Sequence, residues 1–260
     1  MSPDITATLI FHHEGSLALA ALASLQDQIR TAHDAGLSVE ARAVLDRADD
    51  LTRDLVYKRG SWLDGVLEVD VGDLGLARNA GAKQARGAFL AFLDGDDLWG
   101  SDWLRSGYRA ACDADAPARA IWHPQYLYFF SEADFDNLSL NTSPNTFAKS
   151  SIMEHIPTTS PYFDRNVLFL ENIWSANVFA SREIYIDHPY TAVDRSRGLG
   201  IEDWSWNFTT VWAGVPHLVV PDTVHLIRIK ASGSLAQQNA AEGLLPFYPD
   251  DAWPDLGGSR

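Results

Sequence analysis

Apolar runs and short polar breaks alternate in a regular rhythm over the first hundred positions. Ile5 to Phe11 is β-branched and apolar, the pattern of a buried strand. It stops at His12-His13-Glu14-Gly15. Ser16 is placed to cap a helix on which Ala18, Leu22, Leu25 and Ile29 share one apolar face, and Ala35-Gly36 ends it. A second strand is expected over Val39–Leu45, ending at Asp46, then a helical stretch to about Tyr57. Val66–Val71 reads as a third strand before Gly72-Asp73, Leu76–Ala85 as a helix ended by Arg86-Gly87, and Ala88–Leu93 as a fourth strand. This β-α-β-α-β-α-β order predicts an α/β fold, a mostly parallel sheet with helices on both faces.

After Trp103 the rhythm breaks. Trp122–Phe130 reads as a strand, and residues 131–165, rich in Ser, Asn, Thr, Pro and Asp, as a long loop or lid. Trp174–Ala180, Leu218–Val220 and Val224–Ile229 are further strand candidates. Ile201–Trp212 is expected to be helical with acids at its start, and the tail from Pro246 irregular.

In open parallel sheets, ligands bind at the carboxyl ends of strands. His12, Asp46, Asp73 and Asp94 fall at four such ends. The last opens Asp94-Gly95-Asp96-Asp97, three carboxylates around one glycine. Such a cluster suits a hard cation, and Mg²⁺ is held by one or two carboxylates plus substrate phosphates. The alternative is a polar Asp-Gly turn.

The chain has 260 residues, 46% of them apolar, enough for a full core. Its net charge of −15 argues against nucleic acid and anionic lipid as partners, although a divalent cation can still bring an anionic nucleotide to an acidic site. One cysteine, Cys112, excludes an internal disulfide and fits a cytoplasmic setting. The N-terminus lacks a signal-peptide pattern, and no apolar run approaches bilayer length, which leaves peripheral docking to a membrane assembly open.

Taken in order, the pieces resemble the family 2 glycosyltransferases of the GT-A fold, over about residues 5–235. Ile5–Phe11 with His12-His13-Glu14-Gly15 stands at the first strand and loop. Leu45-Asp46-Arg47-Ala48-Asp49-Asp50 occupies the place of a Val-Asp-Asp-Gly-Ser-type turn. Gly75-Leu76-Ala77-Arg78-Asn79-Ala80-Gly81 resembles the Gly-Leu-x-x-Ala-Arg-Asn-x-Gly element. Phe92-Leu93-Asp94-Gly95-Asp96-Asp97-Leu98-Trp99 is similar to the Asp-x-Asp segment, and Gly200-Ile201-Glu202-Asp203-Trp204 to the later Glu-Asp element. Ile227-Arg228-Ile229-Lys230 with Gly233-Ser234-Leu235 resembles the closing basic segment. The first loop departs from the common Pro-x-Tyr-Asn and the second from Gly-Ser, both at places that touch the nucleotide.

The resemblance implies a single GT-A domain: a nucleotide-sugar half over about 1–103, an acceptor half over about 104–235 and an irregular tail over about 236–260. It implies metal-dependent, inverting transfer of a sugar from a nucleotide-sugar donor, expected to be a UDP-sugar, to a saccharide or glycoconjugate hydroxyl. The cation would be Mn²⁺ or Mg²⁺, and the setting bacterial polysaccharide or glycoconjugate synthesis. Asp96 is the expected direct metal ligand, Asp94 a contact to the ribose or the metal's water shell, and Asp97 a support. His225 is a candidate further ligand, or an ordinary strand-end histidine. Asp203 is the expected base, with Glu202 second; both acids also suit a helix N-terminus. Asp46 is expected to read the base or ribose, or to form an Asx turn. Arg78 would pair with phosphate or with the strand-end acids, Asn79 would hold a loop, and Arg228 and Lys230 would meet the diphosphate. His12 or His13 would touch the base, and Trp204 or Trp206 could stack on the acceptor, whereas Trp99 and Trp103 suit a core equally well. A nucleotidyltransferase or phosphatase using the same acids, or a silent nucleotide-sugar binding module, are the alternatives.

Overall fold

The computed structural model describes residues 2–113, 116, 119–131, 150–230 and 234–248. The first half follows the expected alternation: β1 (Ile5–Phe11), α1 (Ala18–Asp34), β2 (Val39–Asp46), α2 (Asp50–Arg59), β3 (Gly65–Val69), α3 (Leu74–Gln84) and β4 (Phe89–Asp94). β5 (Leu98–Trp99), α4 (Trp103–Ala111), β6 (Ile121–Ser131), β7 (Ser151–Glu154) and β8 (Phe179–Ser181) come next. The chain continues through α5 (Arg182–Asp187), α6 (Glu202–Trp212), β9 (His217–Ile229) and α7 (Leu235–Ala241).

The strands form one sheet in the order β3-β2-β1-β4-β8-β6-β9-β5, with β7 added on β6. β3, β2, β1 and β4 run parallel. β8 is antiparallel to both β4 and β6, and β6 is again parallel to β9. The chain leaves β1 towards β2 and returns on its other side as β4, so the order reverses between β1 and β4. That is where a crevice opens at the carboxyl ends. Ile10 lies beside Asp94 there.

β1 is buried along its whole length, Thr6 and Thr8 included, which is why its residues are apolar or β-branched throughout. One face, with Ile5, Ala7, Leu9 and Phe11, packs on Ala18, Leu22 and Leu25 of α1. On the other face Ile10, Val44, Leu90 and Phe92 pack on Ala77 and Ala82 of α3.

Several elements differ from the sequence expectation. Ser16 sits in a 3₁₀ turn, Gly15–Leu17, and α1 has no side-chain cap. β3 stops at Val69 because the Asp46 carboxylate takes the N–H groups of Val71 and Gly72. Of Trp174–Ala180 only the end is strand; Trp174 instead packs with Leu168 and Phe208 in a small second core. The two short strands near the C-terminus are one strand, β9, which passes a register shift opposite Pro124 and Tyr126. The loop expected over 131–165 contains β7, while 132–149 lie outside the described residues. The helix α7 falls at the start of the expected irregular tail, whose remainder beyond Tyr248 also lies outside them. Among the described residues no helix is long and apolar enough to cross a membrane.

Candidate active site

The turn after β4 is shaped by its glycine. A Cβ on Gly95 would meet Phe11 Cδ1 at 2.3 Å and Ile10 O at 2.8 Å, so only glycine lets the turn press on the end of β1. Asp97 N–H closes the turn onto Asp94 O at 3.1 Å. The Asp97 carboxylate points inward: His225 Nε2 lies 3.2 Å from Oδ2, and Arg228 N–H donates to Oδ1 at 2.9 Å. Burial pushes the Asp97 carboxyl up, and the His225 contact opposes that. Asp97 and His225 thus lock the acidic turn to β9. Arg228 Nε donates to Asp96 O at 3.1 Å, and Lys230 Nζ sits 2.6 Å from Asp96 Oδ2.

Arg78 organises the other side. Its side chain is 1% exposed. Nη2 donates to Asp94 Oδ1 at 2.7 Å and Nη1 to Glu202 Oε1 at 2.9 Å, and the guanidinium lies 5.5 Å from the centroid of the Tyr190 ring. Its two carboxylates hold this fully buried guanidinium charged, against a desolvation cost that would otherwise favour the neutral form. The α3 motif explains how it arrives there. Asp73 caps the helix by accepting Leu76 N–H at 2.9 Å, and its other oxygen accepts Val193 N–H at 2.8 Å. A Cβ on Gly75 would meet Tyr190 Cβ at 2.9 Å and Glu202 Cβ at 3.1 Å. Asn79 grips Tyr190 twice: Nδ2 donates to its carbonyl at 2.8 Å, and Oδ1 accepts its N–H at 2.9 Å. The motif is therefore a packing surface for the segment before α6 as well as a carrier of charge.

α6 begins after Ile201, held in the left-handed region at φ 60°, with Glu202 and Asp203 in its first turn. Asp203 Oδ1 accepts Trp204 N–H at 2.7 Å. Burial and the neighbouring Glu202 charge push the Asp203 carboxyl up to about 7, while Arg78 pulls the other way. A carboxyl poised there can take a proton near neutral pH. A cleft of about 240 Å³ reaches Glu202 and is lined besides by Gly72, Asp73, Leu76, Val193 and Asn239.

Asp46 is directed at backbone. Oδ1 accepts the N–H groups of Val71 and Gly72, each at 2.9 Å, and Oδ2 that of Asp73 at 3.1 Å. It fixes the loop that leads into α3; these partners lie 25 to 27 positions along the chain, so they form no local Asx turn. His12 and His13 stack at 3.8 Å between centroids, and His12 Nδ1 donates to Asp46 O at 2.6 Å. Glu14 was not singled out from sequence. Its Oε2 accepts His12 N–H at 2.6 Å, and burial lifts its carboxyl to about 7, the Asp96 charge adding and Lys230 opposing. Only its place after a strand end could have flagged it. Trp206, 2% exposed, stacks on Tyr185 and Tyr190, and Trp99 and Trp103 are buried in the main core, so these three serve packing. Trp204 is half-buried, its Nε1 bonded to Leu168 O at 2.7 Å.

Among the described residues no three His, Cys, Asp or Glu side chains form a metal cage. Asp96 nonetheless offers a hard oxygen donor that already attracts a cationic group, Lys230. One such carboxylate fits a cation shared with substrate phosphates and not one enclosed by protein.

The profile of glycosyl transferase family 2 matches residues 8–163. No curated protein matches the sequence. Among solved structures, S. aureus TarS 1–349 with UDP-GlcNAc superposes with a TM-score of 0.61 at 14% identity, over 90% of this chain and 60% of that one. The mannosyltransferase PcManGT from Pyrobaculum calidifontis, with GDP-Man and Mn²⁺, gives 0.57 at 16% identity, over 93% and 61%. Glucosyl-3-phosphoglycerate synthase from Mycobacterium tuberculosis, with Mn²⁺, UDP and phosphoglyceric acid, gives 0.54 at 14%, over 92% and 75%. These likenesses concern the fold, and the chain spans about 60% of the length of that TarS fragment.

Proposed function

The chain belongs to glycosyl transferase family 2, and on that premise we propose that it moves a sugar from a nucleoside-diphosphate sugar to an acceptor hydroxyl with inversion. One arrangement carries the reading: Arg78 ties Asp94, at the carboxyl end of β4, to Glu202 beside Asp203. The donor-side acids and the candidate base are thus joined through one buried cation. On this reading residues 1–103 form the nucleotide-sugar half and 104–235 the acceptor half.

Asp203 takes the proton of the acceptor hydroxyl, for which its elevated proton affinity suits it. An inverting displacement needs this one base, opposite the leaving group, in contrast to the carboxylate pairs of glycosidases. Glu202 keeps Arg78 charged and in place and raises the basicity of Asp203. Asp96, with Asp94 at the edge of the same turn, would hold a divalent cation, Mn²⁺ or Mg²⁺. When bound, that ion supplies Lewis-acid stabilisation of the departing diphosphate. Arg228 and Lys230 add positive charge on the same side. His225 serves Asp97 and, through it, the turn. His12 and His13, stacked at the end of β1, form one wall of the base subsite.

A UDP-sugar is the expected donor; TarS and the synthase were crystallised with uridine nucleotides and PcManGT with GDP-Man. A saccharide or glycoconjugate acceptor and a bacterial polysaccharide setting follow by analogy of fold, and the single cysteine suits the cytoplasm. The test is a panel of nucleotide sugars with Mn²⁺ or Mg²⁺, read as donor hydrolysis, in which water stands in for the acceptor. One donor is expected to be cleaved in a metal-dependent way. Absence of cleavage across the panel, with no stabilisation by any nucleotide plus metal, overturns the reading.

A further inference from the structure

The two acids that flank Gly95 have different cationic partners. Asp94 faces Arg78, a buried guanidinium shared with Glu202 and fixed by two hydrogen bonds. Asp96 faces Lys230, a compact ammonium on a flexible stem. The Lys230 side chain is 28% exposed and that of Asp96 13%, so the pair is partly desolvated yet reachable from solvent. The backbone beneath Lys230 is pinned by Arg228, whose N–H and Nε bond the acidic turn. Its Cα therefore stays beside the turn while its head group can swing.

We propose that Lys230 is a resident counter-cation that leaves Asp96 when a divalent cation arrives and then pairs with the diphosphate, so that cation and nucleotide load as a coupled pair. The identity of the anion rests on the glycosyltransferase reading above. The physical reason is exclusion by charge. An ammonium 2.6 Å from Asp96 Oδ2 and a divalent ion at about 2.1 Å from the same carboxylate would stand close enough to repel strongly. The Arg78 side is not exchangeable, because withdrawing that guanidinium would leave the buried Glu202 carboxylate and the half-buried Asp94 without their partner. Displaced from Asp96, Lys230 has its best new partner in the phosphates, so each ligand eases entry of the other, reciprocally.

The experiment titrates Mn²⁺ by the EPR signal of the free ion, with and without UDP, in the wild type, Lys230→Gln and Lys230→Arg. Lys230→Gln is expected to bind Mn²⁺ alone about fivefold more tightly, since its competitor is gone, and UDP alone more weakly. The ratio of Mn²⁺ affinities with and without UDP shrinks in Lys230→Gln and is retained in Lys230→Arg. Mn²⁺ binding to folded Lys230→Gln that equals or falls below wild type overturns the exchange; should that variant not fold, Lys230→Met decides on the same readout. The two readings fail separately. Tighter Mn²⁺ binding without hydrolysis of any nucleotide sugar keeps the exchange and removes the transferase. Hydrolysis with unchanged Mn²⁺ affinity does the reverse.

Discussion

Arg78 and Glu202, 124 positions apart, are joined by a 2.9 Å hydrogen bond from Nη1 to Oε1, and the second Arg78 nitrogen reaches Asp94. One buried cation thereby connects the first and second halves of the chain. Arg78→Ala leaves two carboxylates without it and is expected to cost about 3–5 kcal/mol of stability, measured by urea unfolding. Arg78→Lys recovers only part of the loss, because one ammonium cannot reproduce the fork.

Asp203→Asn should lower kcat by about 10²–10⁴-fold and leave nucleotide affinity unchanged, read by donor turnover beside UDP titration. In the wild type, kcat/KM should rise with pH through about 7, since the carboxylate is the working form and its proton is lost there. Glu202→Gln removes a charge that raises that value, so the limb moves to lower pH. A limb that stays in place denies Asp203 the role of base.

Gly75→Ala separates packing from helix propensity. Alanine in a helix interior is favoured over glycine by about 1 kcal/mol. Here the new Cβ meets Tyr190 Cβ at 2.9 Å and Glu202 Cβ at 3.1 Å, so a net loss of about 1–3 kcal/mol is expected, together with reduced turnover. A more stable variant in thermal unfolding contradicts the close approach.

Acid should weaken the fold through three buried imidazoles. His123 Nε2 donates to His217 Nδ1 at 2.8 Å, and His155 Nδ1 donates to Pro124 O at 2.6 Å. Burial lowers His155 to about 4 and His217 to about 3, and lowers His123 as well. Below the unfolded value of about 6.5 the unfolded chain binds protons that the folded chain refuses, so stability falls as pH drops from about 6.5 towards 4. Denaturant midpoints across that range check this, and His217→Gln should flatten the slope.

Much of the first half was legible because its signals are local. β1 and β4 are buried, so their largely apolar runs declare them, and Asp46 and Asp94 at the ends of β2 and β4 mark the rim. The second half was harder. β8 has only three residues and is defined by its antiparallel neighbours β4 and β6, and β9 reads as two pieces because Pro221 and Asp222 interrupt its pattern. Trp206, a candidate platform by sequence, is core because Tyr185 and Tyr190 cover its ring.

By itself the sequence determined the α/β order, the rim at which the acids gather and the residue types available for chemistry, since each depends on short-range patterning. Tertiary structure alone decided which charges meet. Asp46 turned to backbone N–H groups, His225 to Asp97, Arg78 to Asp94 and Glu202, and Lys230 to Asp96. Pairing of buried charges is set by distance through space and by desolvation, neither of which is written in the spacing of residues along the chain.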